Sequence, residues 1–321
     1  MEKEIEKYKW KYYYKDISEK EIEIKVTPDK DFGKPGYLYK LYSLSKRSVD
    51  LLKKQNVYAA HPSQFNDIFD CHENLINFND NNVIKGFLHK VIPKEEIDKH
   101  LTKDRLETKR FVKIHFNGVL YRKWGILSLT SNPNNIVMWS YYNNHQGFCV
   151  EFDYSKFQFK HYGPFPINYQ SKIEPISLKD SGTLLSVIYQ TNIKSDNWTH
   201  ENEWRIIIDA EEDVMISPNF EQLRKFGGRN RNFNYPIEAI KSISLGNRFF
   251  TPEEINALDN NVLEINLKSK NADLKESLLY FTSSNGIQCY IAQRNDDLLS
   301  IGFRPGKIDR INEFHYIFNA G

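Results

Sequence analysis

Short apolar or alternating runs recur along the chain between polar turns, and they predict strands and helices in irregular order. Tyr37-Leu38-Tyr39-Lys40-Leu41-Tyr42 reads as a strand, after which Ser43 or Ser45 can cap a helix that buries Val49, Leu51 and Leu52. Val57-Tyr58-Ala59-Ala60 is a second short strand. Residues 79–123 carry helical spacing, and Pro93-Lys94-Glu95-Glu96 marks a helix start among them. From Gly125 strands return, at Ile126 to Thr130 and at Gly147 to Asp153, with a short helix from Ile136 to Tyr142 between them. Pro164 to Tyr169 is a candidate strand and Leu178 to Tyr189 a helix. Ile206-Ile207-Ile208 reads as a buried strand from its β-branched content. Ile237 to Leu245 is followed by Thr251-Pro252-Glu253-Glu254, a capped helix start with proline in first position. Gly286 to Ala292 is the last clear strand.

This order predicts an α+β fold: one mixed-sheet domain over 37–300, with 79–123 as a helical insertion, rather than a doubly wound parallel sheet. Turn chemistry from Asp31 to Gly36 sets off residues 1–36 as a charged, aromatic arm, read as solvated and partly ordered. Residues 301–321 form an aromatic tail that packs back on the core.

The 321 residues carry 44 basic and 42 acidic side chains, a net charge of +2, which removes any bulk electrostatic case for nucleic-acid binding. Aromatic residues make up 14%, with 19 Tyr and 21 Phe, enough to build ring-stacking pockets. Cys71, Cys149 and Cys289 are widely spaced and form no disulfide framework, so a reducing cytoplasm is expected. The charged start lacks the apolar core of a secretory signal, and no stretch of about 18 apolar residues suggests a membrane span.

Candidate chemistry concentrates in Trp198-Thr199-His200-Glu201-Asn202-Glu203-Trp204-Arg205. Two residues apart on an extended backbone, Glu201 and Glu203 project from one face and could hold one ligand between them. Like charges this close require a cation, a donor-rich ligand or a shared proton. Arg205 or a distant lysine would meet that need by simple cross-bracing. The loop His61 to Glu73 is also dense in binding or capping side chains: His61, Asn66, Asp67, Asp70, His72 and Glu73.

Four stretches together resemble an uncharacterised bacterial family, domain of unknown function 2971. They are Tyr39 to Tyr42, Pro62 to Asp70, Met138 to Tyr142 with Gly147 to Phe152, and Trp198 with Glu201 to Arg205. Ile68 stands where that family usually has proline. The order of parts also resembles the ADP-ribosyltransferase layout, which implies NAD as substrate, an acceptor that is a protein or a nucleic acid, and a toxin or phage-defence setting. That resemblance makes Glu203 the catalytic carboxylate and Glu201 the acceptor-side one. Lys40 or Tyr42 stands where those enzymes carry His or Arg, and Ser63 or Tyr58 is the middle residue. Trp139 and Trp204 would contribute to the NAD pocket, walled by Trp198 and Trp204. Asn66, Asp67, Asp70 and Arg205 would shape it without a metal. A second reading is a metal-dependent nuclease or phosphoesterase, with Asp67, Asp70, Glu73, Glu201 and Glu203 as oxygen ligands and Lys40 or Arg205 on a phosphate. A third is a non-catalytic module that stacks a nucleotide or base on Trp139, Tyr141, Tyr142, Trp198 and Trp204.

Overall fold

A computed structural model describes residues 2–18, 21–78, 80–91, 94–101, 105–218, 227–295 and 297–321. The fold is α+β, organised around an 11-stranded mixed sheet. Across the sheet the strands run Ile255–Ala257, Val262–Asn266, His315–Ala320, Ser300–Asn312, Gln288–Asn295, Ile240–Leu245, Phe148–Phe152, Leu38–Tyr42, Trp124–Thr130, Glu203–Asp209 and His161–Pro166. Neighbours pair antiparallel except Ile240–Leu245 with Gln288–Asn295, which are parallel. Glu203–Asp209 lies between two neighbours and all seven of its residues are buried, as its isoleucine run requires.

Alternation along that strand assigns its side chains to two cores. Trp204, Ile206 and Ile208 join a large cluster with Leu38, Leu127, Phe148 and Phe152. Ile207 joins the other face with Ile126, Phe165 and Ile188. Glu203 and Arg205 share the parity of Ile207, so period two turns them away from Trp204.

The helical insertion comprises Asn81–Val91, Lys94–Leu101 and Arg105–Lys123. Pro93, placed at a helix start from the sequence, lies outside the described residues. The stretch Leu178–Asn192 continues past Tyr189 and is broken at Gly182, whose φ is +70°.

Three expectations change. The N-terminal arm is not a solvated segment but a three-stranded antiparallel sheet, Glu2–Lys7, Trp10–Asp16 and Ile22–Thr27. Its tight turn places Tyr8 and Lys9 at φ of 52° and 66°, the left-handed values a two-residue hairpin needs. Local propensity does not favour Tyr-Lys there. Tertiary contacts hold it: the Tyr8 hydroxyl donates to the Lys172 carbonyl at 2.6 Å and accepts from the Glu174 amide at 2.6 Å. Tyr12 is fully buried, donating to Asn192 Oδ1 at 2.8 Å. Second, Pro252–Glu254 is a single 3-10 turn, capped reciprocally by Thr251 and Glu254, and passes directly into a strand. Third, no boundary falls at residue 300, because Ser300–Asn312 pairs with Gln288–Asn295 and Tyr316 and Phe318 are fully buried.

Candidate functional site

The central strands and the short helix Ile136–Asn143 enclose a cavity of about 580 Å³. Asn135 starts that helix, its side chain accepting from the amides of Val137 at 2.9 Å and Met138 at 3.1 Å. The same side chain donates to the His200 carbonyl, which ties the helix to the 3-10 segment Asp196–Glu201. Met138 and Trp139 turn inward, whereas Tyr141 and Tyr142 are exposed at 60% and 37% and line the cavity.

Five buried charges form its floor. Arg205, only 2% exposed, has every guanidinium nitrogen engaged. Its Nε meets Glu203 Oε1 at 2.7 Å, and Nη1 and Nη2 grip Asp70 Oδ1 and Oδ2 at 2.8 and 2.5 Å. Nη1 also donates to the Thr191 carbonyl at 2.8 Å, and Phe65 lies 5.2 Å from the guanidinium carbon. The Lys194 ammonium donates to Glu203 Oε2 at 2.8 Å and to Glu201 Oε2, and stands 4.0 Å from Asp70 Oδ2. The Tyr142 hydroxyl donates to Glu201 Oε1.

The two glutamates meet, but not through strand alternation. Glu201 ends the 3-10 segment, Asn202 takes a left-handed turn at φ 44°, and only then does Glu203 open the strand. Both carboxylates therefore converge on Lys194, the cation that their proximity requires.

Burial alone would raise the Glu203 carboxyl, but Arg205 and Lys194 outweigh it and hold it far below the ordinary glutamate range. Burial lowers Lys194, yet Glu203 and Glu201 leave it raised overall. Burial lifts the Tyr142 hydroxyl, reinforced by Glu201. Lys40 goes the other way: burial brings it down to about 8, against the opposing pull of Glu203.

These shifts predict an acid-sensitive fold. Glu203 is depressed on folding, so its stabilisation is complete above its unfolded value of 4.5 and is lost as pH falls toward the folded value. Glu254, also buried, is held down to about 2 by Lys275 and backbone amides and adds in the same direction. Urea unfolding at about pH 6, 4 and 3 should show a falling midpoint below about pH 4.5. A midpoint that stays level across that range would mean that these pairs contribute nothing to folding.

Lys40, Tyr58, Asn66, Asp70, Glu201, Glu203 and Arg205 all line the cavity. Asn66 donates to the Tyr141 hydroxyl at 3.2 Å, across from loop to helix. Asp67 instead accepts the Phe69 amide at 2.9 Å and makes the turn. Ser63 lies in the 3-10 turn Pro62–Gln64 and is not among the lining residues. Tyr42 stacks on Phe148 at 5.2 Å. Trp139 is fully buried with Cys149, Ala292 and Ile301, and Trp204 belongs to the large core, so neither walls the cavity. Trp198 is not among the lining residues, and its ring lies 5.1 Å from the Lys194 ammonium. Lys194 was missed as an individual residue. Its only local signal is a lone lysine after the apolar Ile193; Asp70 lies far upstream and the two glutamates that it bonds come later in the chain.

Residues 138–206 match the model of a protein family of unknown function, DUF2971. No curated protein and no solved structure matches the chain. The DUF2971 stretch carries Tyr141, Tyr142, Lys194, Glu201, Glu203 and Arg205, and so most of the floor and one wall. Lys40, Tyr58 and Asp70 precede it, and the fold brings them to the same cavity.

Proposed function

We propose that the cavity takes NAD and that the protein is an ADP-ribosyltransferase or NAD glycohydrolase. The observation that carries this reading is the convergence of Lys40, Tyr58 and the Glu201–Glu203 pair from three separate chain segments on one cavity. Glu203 stays ionised although its side chain is buried, and a fixed, buried carboxylate best stabilises the positive charge that develops as the nicotinamide bond breaks. Arg205 and Lys194 orient it; Oε2 accepts from both, whereas Oε1 accepts from Arg205 Nε alone and retains a second lone pair for a ribose hydroxyl. Glu201 sits beside it on the acceptor side. Lys40 donates on the nicotinamide side, and Tyr141 offers a ring for stacking.

The metal-dependent alternative meets a specific obstacle. The Lys194 ammonium occupies the position among Asp70, Glu201 and Glu203 that a divalent ion would take. A non-catalytic nucleotide-binding module is favoured over it, because the paired floor needs no ligand to be stable.

Purified protein incubated with NAD should release nicotinamide above the buffer rate, most strongly with protein or nucleic-acid acceptors present. Lys40→Met removes an ammonium that has one hydrogen bond, and should weaken NAD binding about tenfold, a loss typical of one charge-assisted contact. Binding without release would leave the binding module as the better reading. Neither binding nor release would end the NAD reading.

A further inference from the structure

The cavity holds two lysines in opposite circumstances. Lys194 shares its ammonium among three carboxylates. Lys40, on the central strand Leu38–Tyr42, is partly buried and has one hydrogen-bond acceptor among the described residues, the Ser128 carbonyl at 3.0 Å. The Tyr42 ring lies 5.7 Å away, and no described carboxylate pairs with it. A lysine that serves only packing usually keeps a counter-ion or carries its charge out to water. Lys40 instead faces a cavity open on one side and walled by Tyr39, Leu41, Tyr58 and Tyr141. With little solvation and only the unpaired, more distant pull of Glu203 against it, its amine gives up a proton readily, falling to about 8.

We propose that Lys40 is a nucleophilic amine that condenses with the carbonyl group of a small aldehyde or reducing sugar held in the cavity. The neutral Nζ adds its lone pair to the carbonyl carbon, and the oxygen takes up a proton to give a carbinolamine. The carbinolamine hydroxyl then takes up from solvent the proton that the ammonium had released and leaves as water, which gives the iminium ion with no change in oxidation state. The iminium keeps the single positive charge of the ammonium, so the field of Glu203 that favours one favours the other. Aromatic and aliphatic walls suit a planar or sugar ring attached to the carbonyl. The inference stands apart from the NAD reading, since it concerns an amine and needs no glycosidic bond.

The test is reductive trapping on the full chain at about pH 7, with benzaldehyde or ribose as probe and cyanoborohydride as hydride donor. Peptide mapping by mass spectrometry then gives a labelling rate for each lysine. Lys40 should label about tenfold or more faster than the exposed Lys46, because far more of a pKa-8 amine is unprotonated at that pH. The Lys40 rate should rise with pH to a plateau with a midpoint near 8. Lys40→Arg keeps the charge, removes the nucleophile and should abolish the fast phase. A wild-type Lys40 that labels no faster than Lys46 overturns the proposal, even if the variant fails to fold. Nicotinamide release from NAD is measured separately, so either idea can fail without the other.

Discussion

Replacing Arg205 by methionine is expected to cost about 3–5 kcal/mol of folding stability, the range for removing one partner of a buried ionic network. The side chains match roughly in length, so lost packing contributes little. What remains is the uncompensated charge of Asp70 and Glu203, both within a few per cent of full burial. Asp70 loses both bidentate hydrogen bonds, and Glu203 is left with Lys194 alone. The Thr191 carbonyl also loses its 2.8 Å donor. Urea or thermal unfolding checks the figure. Combining Arg205→Met with Asp70→Asn should recover part of the loss, because the stranded charge on Asp70 goes with its partner. If Arg205→Met costs under about 1 kcal/mol, the network is not a structural floor and the cavity geometry built on it fails.

Glu203→Gln should reduce nicotinamide release by about 10²–10³, the usual loss when one electrostatic stabiliser of a transition state is removed. Glutamine keeps the length and one acceptor oxygen for Arg205 Nε, but it cannot carry the charge that opposes the developing cation. Its amide must also point an N–H toward Lys194 or Arg205, so some stability is lost. Rates are therefore compared per folded molecule, with thermal melting measured on the same samples. Glu201→Gln should mainly impair transfer to an acceptor and leave NAD hydrolysis partly intact. The separation matters because both residues share Lys194, and a purely structural effect would move both activities together. Equal release by wild type and Glu203→Gln, with both folded, would remove Glu203 from the chemistry.

Much of the fold was legible because it follows from local geometry. The isoleucine run after Arg205 could only be a buried strand, and the short helix before Gly147 was clear in its apolar content. Period two also fixed that Trp204 points away from Glu203 and Arg205, a signal present in the sequence but outweighed by the appeal of a tryptophan beside two carboxylates. That a cation, a donor-rich ligand or a shared proton must lie between Glu201 and Glu203 was likewise set by charge and spacing. Which cation answered was not. Asp70 reaches Arg205 across 135 residues, and Lys194 meets the glutamates only because a 3-10 turn and a left-handed Asn202 bring Glu201 back beside the strand. Lys40 became distinctive for the same reason, since having a carbonyl but no carboxylate partner among the described residues depends on where every other charge settled. The N-terminal sheet shows the limit most plainly. Its Tyr8-Lys9 turn is unfavourable in isolation and exists because Tyr8 finds two backbone partners some 165 residues away. Periodicity is a property of neighbours, which a sequence displays directly. Counter-ions, enclosed cavities and unfavourable turns depend on chain closure over long loops, and only the folded arrangement supplies them.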